Sequence, residues 1–265
     1  MDQGGISMKK AKYIVLIVLT FILVILPITL KEKDTNNDYS YIENNNISTK
    51  TETIISYDYS KDINDYKTKY NNNEVVGIIN FENTDYSKPI MQHNDNDYYL
   101  NHDEYMKSNY RGAVFADYRI DIINSRKILI FAHNAKYIDA NFKILDNYYN
   151  YDYFKNHQFI SITTNEGKKV YQIFSVYVET SDFSYMNVNF PDEESWVNHL
   201  NKLKSKSLYD TSVEVKEDDE ILILQTCSTH DDYKDYSQKY LLIIARRVKN
   251  EDGTYRKEYW TDNIV

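Results

Sequence analysis

From Glu74 onward short apolar stretches separated by polar turns dominate the chain, and this spacing most limits what it can fold into. Strands are predicted at residues 74–81, 112–117, 126–132, 158–163, 169–179, 220–226 and 240–248. Several are rich in Ile, Val, Tyr and Phe, as half-buried strands are. In 169–178, Val170, Ile173 and Val176 mix with Tyr171, Phe174 and Tyr177, so both faces are expected to be partly covered. Two segments read as helices. Residues 192–205 open on Asp192, Glu193 and Glu194, close on Lys202 and Lys204, and place Trp196, Leu200 and Leu203 on one stripe. Residues 138–145 form a shorter candidate. Many short strands with helices in the connections predict a mainly β fold, a closed or nearly closed barrel. There is no internal repeat, no HExxH motif and, with six glycines in all, no glycine-rich phosphate loop.

The chain ahead of this domain divides by composition. Residues 1–10 carry Lys9 and Lys10 and read as a cytoplasmic N-terminus. Residues 11–30 are apolar except for Lys12, and at ~1.5 Å per residue they match the ~30 Å bilayer core as a transmembrane anchor. The lysines on the near side predict export of the remainder, hence a single-pass cell-membrane protein with its folded domain outside. A cleaved signal peptide is the other reading, disfavoured because no small-residue cleavage pattern follows Leu30. Residues 31–73 are polar, rich in Asn, Asp, Ser and Thr, and read as a stalk with a helix near 61–70 that packs on the domain behind it. Residues 74–248 form the predicted catalytic domain and 249–265 a tail or hairpin. A formal charge of −9 argues against nucleic-acid partners.

The one cysteine excludes an internal disulfide and a multi-cysteine metal cage. Cys227 ends the apolar run Ile221-Leu222-Ile223-Leu224-Gln225-Thr226, where a polar loop begins. It is either a packing residue or a thiol whose backbone is fixed while its sulfur faces a cleft. His133 stands in the same setting, after Ile128-Leu129-Ile130-Phe131-Ala132. A histidine beside a thiol can hold its proton and later protonate a leaving amine. His230, three residues beyond the cysteine, is the rival partner.

With these residues in place the chain resembles a known family. Ala132-His133-Asn134, then Leu224-Gln225-Thr226-Cys227, then Ile244-Ala245-Arg246-Arg247-Val248 resemble the sortases, membrane-anchored cysteine transpeptidases, and among them class B. Residues 96–100 and 112–119 are similar to that class's early strands. Residues 180–186, followed by the Trp196 helix, are similar to its long loop between strands six and seven. The resemblance implies an eight-stranded β-barrel with an N-terminal helix and a helix in that loop. It implies Cys227 as nucleophile and His133 as acid–base group, with Asn96, Leu100, Ser181, Tyr185, Met186, Gln225 and Thr226 binding substrate. No metal or cofactor is implied. Its partners would be secreted proteins bearing a C-terminal sorting motif cleaved after Thr, and an amine of a peptidoglycan precursor or cross-bridge; the chain itself is expected to be a monomer.

The sequence also departs from the family. The strand after the cysteine begins with Tyr240 where sortases carry an arginine, and Arg246 lies six residues further on, ~20 Å along a strand. Ile223 replaces the threonine of the family signature. Tyr240 is therefore the candidate for the oxyanion-supporting position. The alternatives to a transpeptidase are a sortase-like module that holds peptides with weak or no turnover, and a cysteine hydrolase. The hydrolase reading is opposed by the chain order, histidine before cysteine.

Overall fold

The computed structural model describes residues 57–250. The predicted cytoplasmic segment, membrane anchor, most of the stalk and the tail beyond Asn250 lie outside the described residues. Among the described residues no helix is long and apolar enough to cross a membrane.

The chain opens with helix α1 (Tyr59–Tyr70), capped by the Asp58 carboxylate, which accepts from Ser60 N, and ended by Asn71 in the left-handed region at φ 49°. Its Ile63 is buried in the same cluster as Val75 and Met91, so the folded body starts ahead of Glu74. Eight strands follow: β1 (Val75–Phe81), β2 (Ser87–Met91), β3 (Phe115–Ala116), β4 (Lys127–Phe131), β5 (Phe159–Thr164), β6 (Gly167–Glu179), β7 (Ile221–Cys227) and β8 (Tyr240–Arg247). Helix α2 (Tyr151–Asn156) precedes β5 and α3 (Glu193–Ser205) lies between β6 and β7. The strands close into a barrel in the order β1-β2-β3-β4-β7-β8-β6-β5, with the two-residue β3 as its weakest seam. Ile79, Ile130, Leu222 and Ile243 fill its interior.

The expected barrel is present, with local corrections. The sequence reading missed β2 because Pro89 and Lys88 interrupt it. Proline is tolerated there because β2 pairs fully with β1 but touches β3 only at Met91↔Phe115, leaving most of its other edge without a ladder to complete. Of residues 112–117 only two form a strand. The helix expected at 138–145 is absent: the Phe142 N–H closes the segment back onto the His133 carbonyl at 2.9 Å, and a 3₁₀ helix begins only at Lys143. Helix α3 forms as expected, with Asp192 as its cap and Trp196, Leu200 and Leu203 buried in one cluster with strand residues such as Tyr177 and Ile221.

Candidate active site

Strands β4 and β7 lie side by side, parallel and in register from Lys127↔Ile221 to Phe131↔Gln225. Two residues past that last pair stand His133 on one strand and Cys227 on the other. Residues far apart in sequence therefore leave the barrel together at one rim. The pairing continues into the exits: Ala132 N–H donates to Gln225 O at 3.4 Å, and Thr226 Oγ1 donates to Ala132 O at 2.7 Å. Asn134 Nδ2 reaches both the Cys227 carbonyl, at 3.3 Å, and the Asp146 carboxylate, at 2.6 Å. Asp146 also accepts from Thr229 Oγ1 and Lys143 Nζ, so one carboxylate ties together the loops leaving both strands.

A cleft of about 300 Å³ opens at this rim. Asn96, Leu100, His133, Met186, Gln225, Thr226, Cys227 and Tyr240 line it, together with Phe115, Phe131 and Ala132. The last three were not foreseen; they are ordinary strand residues in sequence and become wall only when the barrel closes. Ser181 and Tyr185 fall outside the lining. Ser181 sits on the turn folded around Glu179, and Tyr185 is buried with its hydroxyl donating to Gln225 Oε1 at 2.9 Å.

The imidazole of His133 is oriented by a backbone group. Its Nε2 lies 2.9 Å from the Leu100 carbonyl oxygen. A carbonyl only accepts, so Nε2 carries the proton and Nδ1 is left as the second functional nitrogen. Cys227 is exposed as a residue, yet desolvation by the apolar walls raises its thiol above the usual cysteine value, with Lys239 opposing in part. The residue area records an open mouth while the thiol responds to the wall at its back. His230 is occupied elsewhere, capping the short helix at Asp231 and packing on Tyr149, with ring centroids 4.6 Å apart.

Tyr240 stands directly across from Cys227 in the antiparallel β7/β8 ladder, and across from Glu179 on the other side. Its ring meets Phe183 edge-on at 5.9 Å. Arg246 pairs with Ile221 and Gln172 at the far end of the same strand.

Known proteins of similar sequence and fold identify the family. The sortase domain model matches residues 79–248. The chain belongs to the class B sortases. It is 33% identical to sortase B of Listeria monocytogenes over 178 residues, 67% of this chain and 71% of that protein. To sortase B of Staphylococcus aureus it is 27% identical over 179 residues, 67% of this chain and 72% of the relative. Among solved structures, the Staphylococcus aureus sortase B–substrate complex superposes with a TM-score of 0.64 at 25% identity, covering 72% of this chain and 86% of that one. The Listeria monocytogenes sortase B structure gives 0.60 at 29% identity, covering 69% and 98%. As a class B sortase the chain is a cysteine transpeptidase.

Proposed function

We propose that this sortase, tethered to the membrane by residues 11–30, cleaves a C-terminal sorting motif after threonine and joins the freed carbonyl to a cell-wall amine. The parallel, in-register exit of β4 and β7, which puts His133 and Cys227 on one cleft, carries this reading. In the first step the Cys227 sulfur, its proton transferred to His133 Nδ1, attacks the threonyl carbonyl carbon. The C–N bond breaks, the same proton passes to the leaving amine, and a thioester remains. In the second step an amine attacks the thioester, His133 takes its proton, and the sulfur leaves as thiolate while a new amide forms. A raised thiol suits this order, because the nucleophile stays protonated until substrate excludes water and the proton has a partner. The developing oxyanion needs a donor. Ser228 N–H is already spent on Lys239 O at 2.9 Å, and among the described residues no hydrogen bond engages the Tyr240 hydroxyl, which leaves that phenol available. A substrate-bound relative and a sortase B complexed with triglycine support a peptide donor and an amine acceptor.

The test incubates the folded protein with a fluorogenic peptide library fixed at threonine, with triglycine as acceptor, and follows amide product by mass spectrometry. Cys227→Ala and His133→Ala are each expected to lower kcat by roughly 10⁴-fold or more, and the double change to add little, since the two act as a unit. Hydrolysis without amide product would return the reading to a cysteine hydrolase. Binding without cleavage in the unaltered protein would leave a peptide-holding module.

A further inference from the structure

The residues that shape the cleft on its β6–β7 side form a short 3₁₀ turn capped by Asp182, and the carbonyls at its end are held from outside the segment. Three consecutive carbonyls there, those of Tyr185, Met186 and Asn187, are each gripped by a cation from the barrel body. Lys127 Nζ, at the first position of β4, donates to Tyr185 O at 2.7 Å, to Asn187 O at 2.6 Å and to His199 Nε2 of α3 at 2.8 Å. An ammonium has three protons, and all three are used. Arg119 Nη2 donates to Met186 O at 3.1 Å, while the same guanidinium grips Asp117 through Nε at 2.8 Å and Nη2 at 2.6 Å. Asp117 in turn accepts from Asn96 Nδ2 at 3.2 Å. Asn96 and Met186 are both cleft residues, so the Arg119–Asp117 pair joins two parts of its wall.

Lys127 is 2% exposed, lies 5.4 Å from the Phe190 ring centroid and, among the described residues, has no carboxylate in contact. A buried ammonium with no carboxylate in contact is costly beside an apolar residue of similar size, and burial accordingly lowers its pKa to about 7, with Arg119 adding to the effect and the more distant Asp117 opposing it. What the ammonium supplies in return is geometry: two carbonyls that bracket Met186, fixed to the strand whose far end delivers His133.

We propose that Lys127, with His199 as its acceptor and Arg119 as its companion, is a positioning residue that sets the substrate wall of the cleft by fixing the 185–187 backbone. This rests on the transpeptidase reading for its substrate, though not for its structural part. Neither cation lines the cleft, so the effect belongs to peptide affinity rather than to the chemical step.

The experiment compares the unaltered protein with Lys127→Met, Arg119→Leu and Arg119→Gln, the last able to keep a donor toward Met186 O. Hydrogen exchange of residues 180–190 is followed by mass spectrometry, and KM and kcat are measured on the best peptide of the threonine library. Iodoacetamide alkylation of Cys227 reports the nucleophile independently. Lys127→Met and Arg119→Leu are expected to speed exchange in 180–190 at least tenfold and to raise KM about tenfold. The alkylation rate and kcat should stay within about twofold, and Arg119→Gln should recover most of the loss. Unchanged exchange in folded variants, or a fall in kcat with KM unmoved, would overturn the proposal. If Lys127→Met does not fold, the Arg119 pair decides alone. A protein that turns over no peptide would remove the transpeptidase reading, while the exchange measurement still decides the clamp.

Discussion

At its first residue β8 places Tyr240 across from Cys227, in a cleft walled by Leu100, Phe115, Phe131 and Met186. At its last two residues it places Arg246 and Arg247 beside Asp219 and Glu220, with contacts of 3.8 and 2.9 Å. Lys249 also reaches Asp219, at 2.9 Å, and Lys169 reaches Glu220, at 3.5 Å. One end of the strand keeps formal charge out of its lining and leaves a hydroxyl available; the other spends its guanidiniums on a shared ion-pair network. The difference is set by the length of the strand. Tyr240 and Arg246 have the same side-chain parity, but six residues at ~3.4 Å keep any side chain at one end from serving the other. The arginine that the family places near its thiol is therefore not supplied from within β8. In the proposed reading the rim works with dipoles, a backbone carbonyl for the imidazole and a phenol for the oxyanion, beside the Lys239 charge that acts on the thiol.

The strongest way to break the dipole side of this contrast is through Gly112. Its φ of +59° lies in the left-handed region, and a Cβ there falls inside contact distance of the Tyr99 carbonyl and 3.0 Å from the Leu100 carbonyl oxygen. That second oxygen holds His133 Nε2. Gly112→Ala is expected to displace it and lower kcat on the order of 10³-fold, by loss of the imidazole's fixed tautomer and orientation. The readout is kcat beside a melting curve. Full activity in a folded Gly112→Ala protein would show that the carbonyl does not set the histidine.

Tyr240 gives a smaller, two-sided test. Tyr240→Phe removes one donor and is expected to lower kcat about 10²-fold. Tyr240→Arg restores the family's cation and should recover or exceed the original rate. The thiol reports the same change without substrate. Because Cys227 is raised above the usual cysteine value, iodoacetamide alkylation of the unaltered protein should climb later with pH than that of an ordinary cysteine. A raised pKa means less thiolate at a given pH, and a nearby guanidinium stabilises the thiolate, so Tyr240→Arg should move the profile to lower pH. A profile that does not move would place residue 240 too far from the sulfur to act on it.

How much of this was legible in the chain depends on the range of the interactions. The barrel class followed from β-rich runs and turns, which are local. The rim positions of Cys227 and His133 followed from a local feature too, apolar strands ending in polar loops. The β2 strand was hidden because Pro89 is a local warning that only a nearly free edge can overrule. Lys127 was hidden differently: within Arg126-Lys127-Ile128 it reads as a solvated strand end, and nothing nearby announces that the 185–187 carbonyls and His199 will surround it. Tyr185 was expected in the groove from its loop and is instead a buried strut under Gln225. Side chains whose partners come from another element are where sequence reasoning gave out, because their surroundings are decided by the closed fold.

The smallest effect is expected at the charged end of β8, and it tests the comparison from the other side. Arg246→Ala leaves Asp219 with Lys249 at 2.9 Å and the Lys216 N–H at 2.7 Å, so the carboxylate is not stranded. Arg247→Ala leaves Glu220 with Lys169. Asp219 is fully buried and Arg247 nearly so. Each carboxylate keeps a second cation, however, so the loss should be about 1–2 kcal/mol, short of the ~3–5 kcal/mol of an uncompensated buried charge, and about 2–8 °C of Tm in a domain of this size. Each variant should therefore melt earlier and keep kcat/KM within about twofold. A folded Arg246→Ala protein with turnover reduced a hundredfold would mean that its guanidinium does act at the thiol. The strand would then have to bend or shift its register when substrate binds, and Tyr240 would lose its proposed place at the oxyanion while Cys227 and His133 kept theirs.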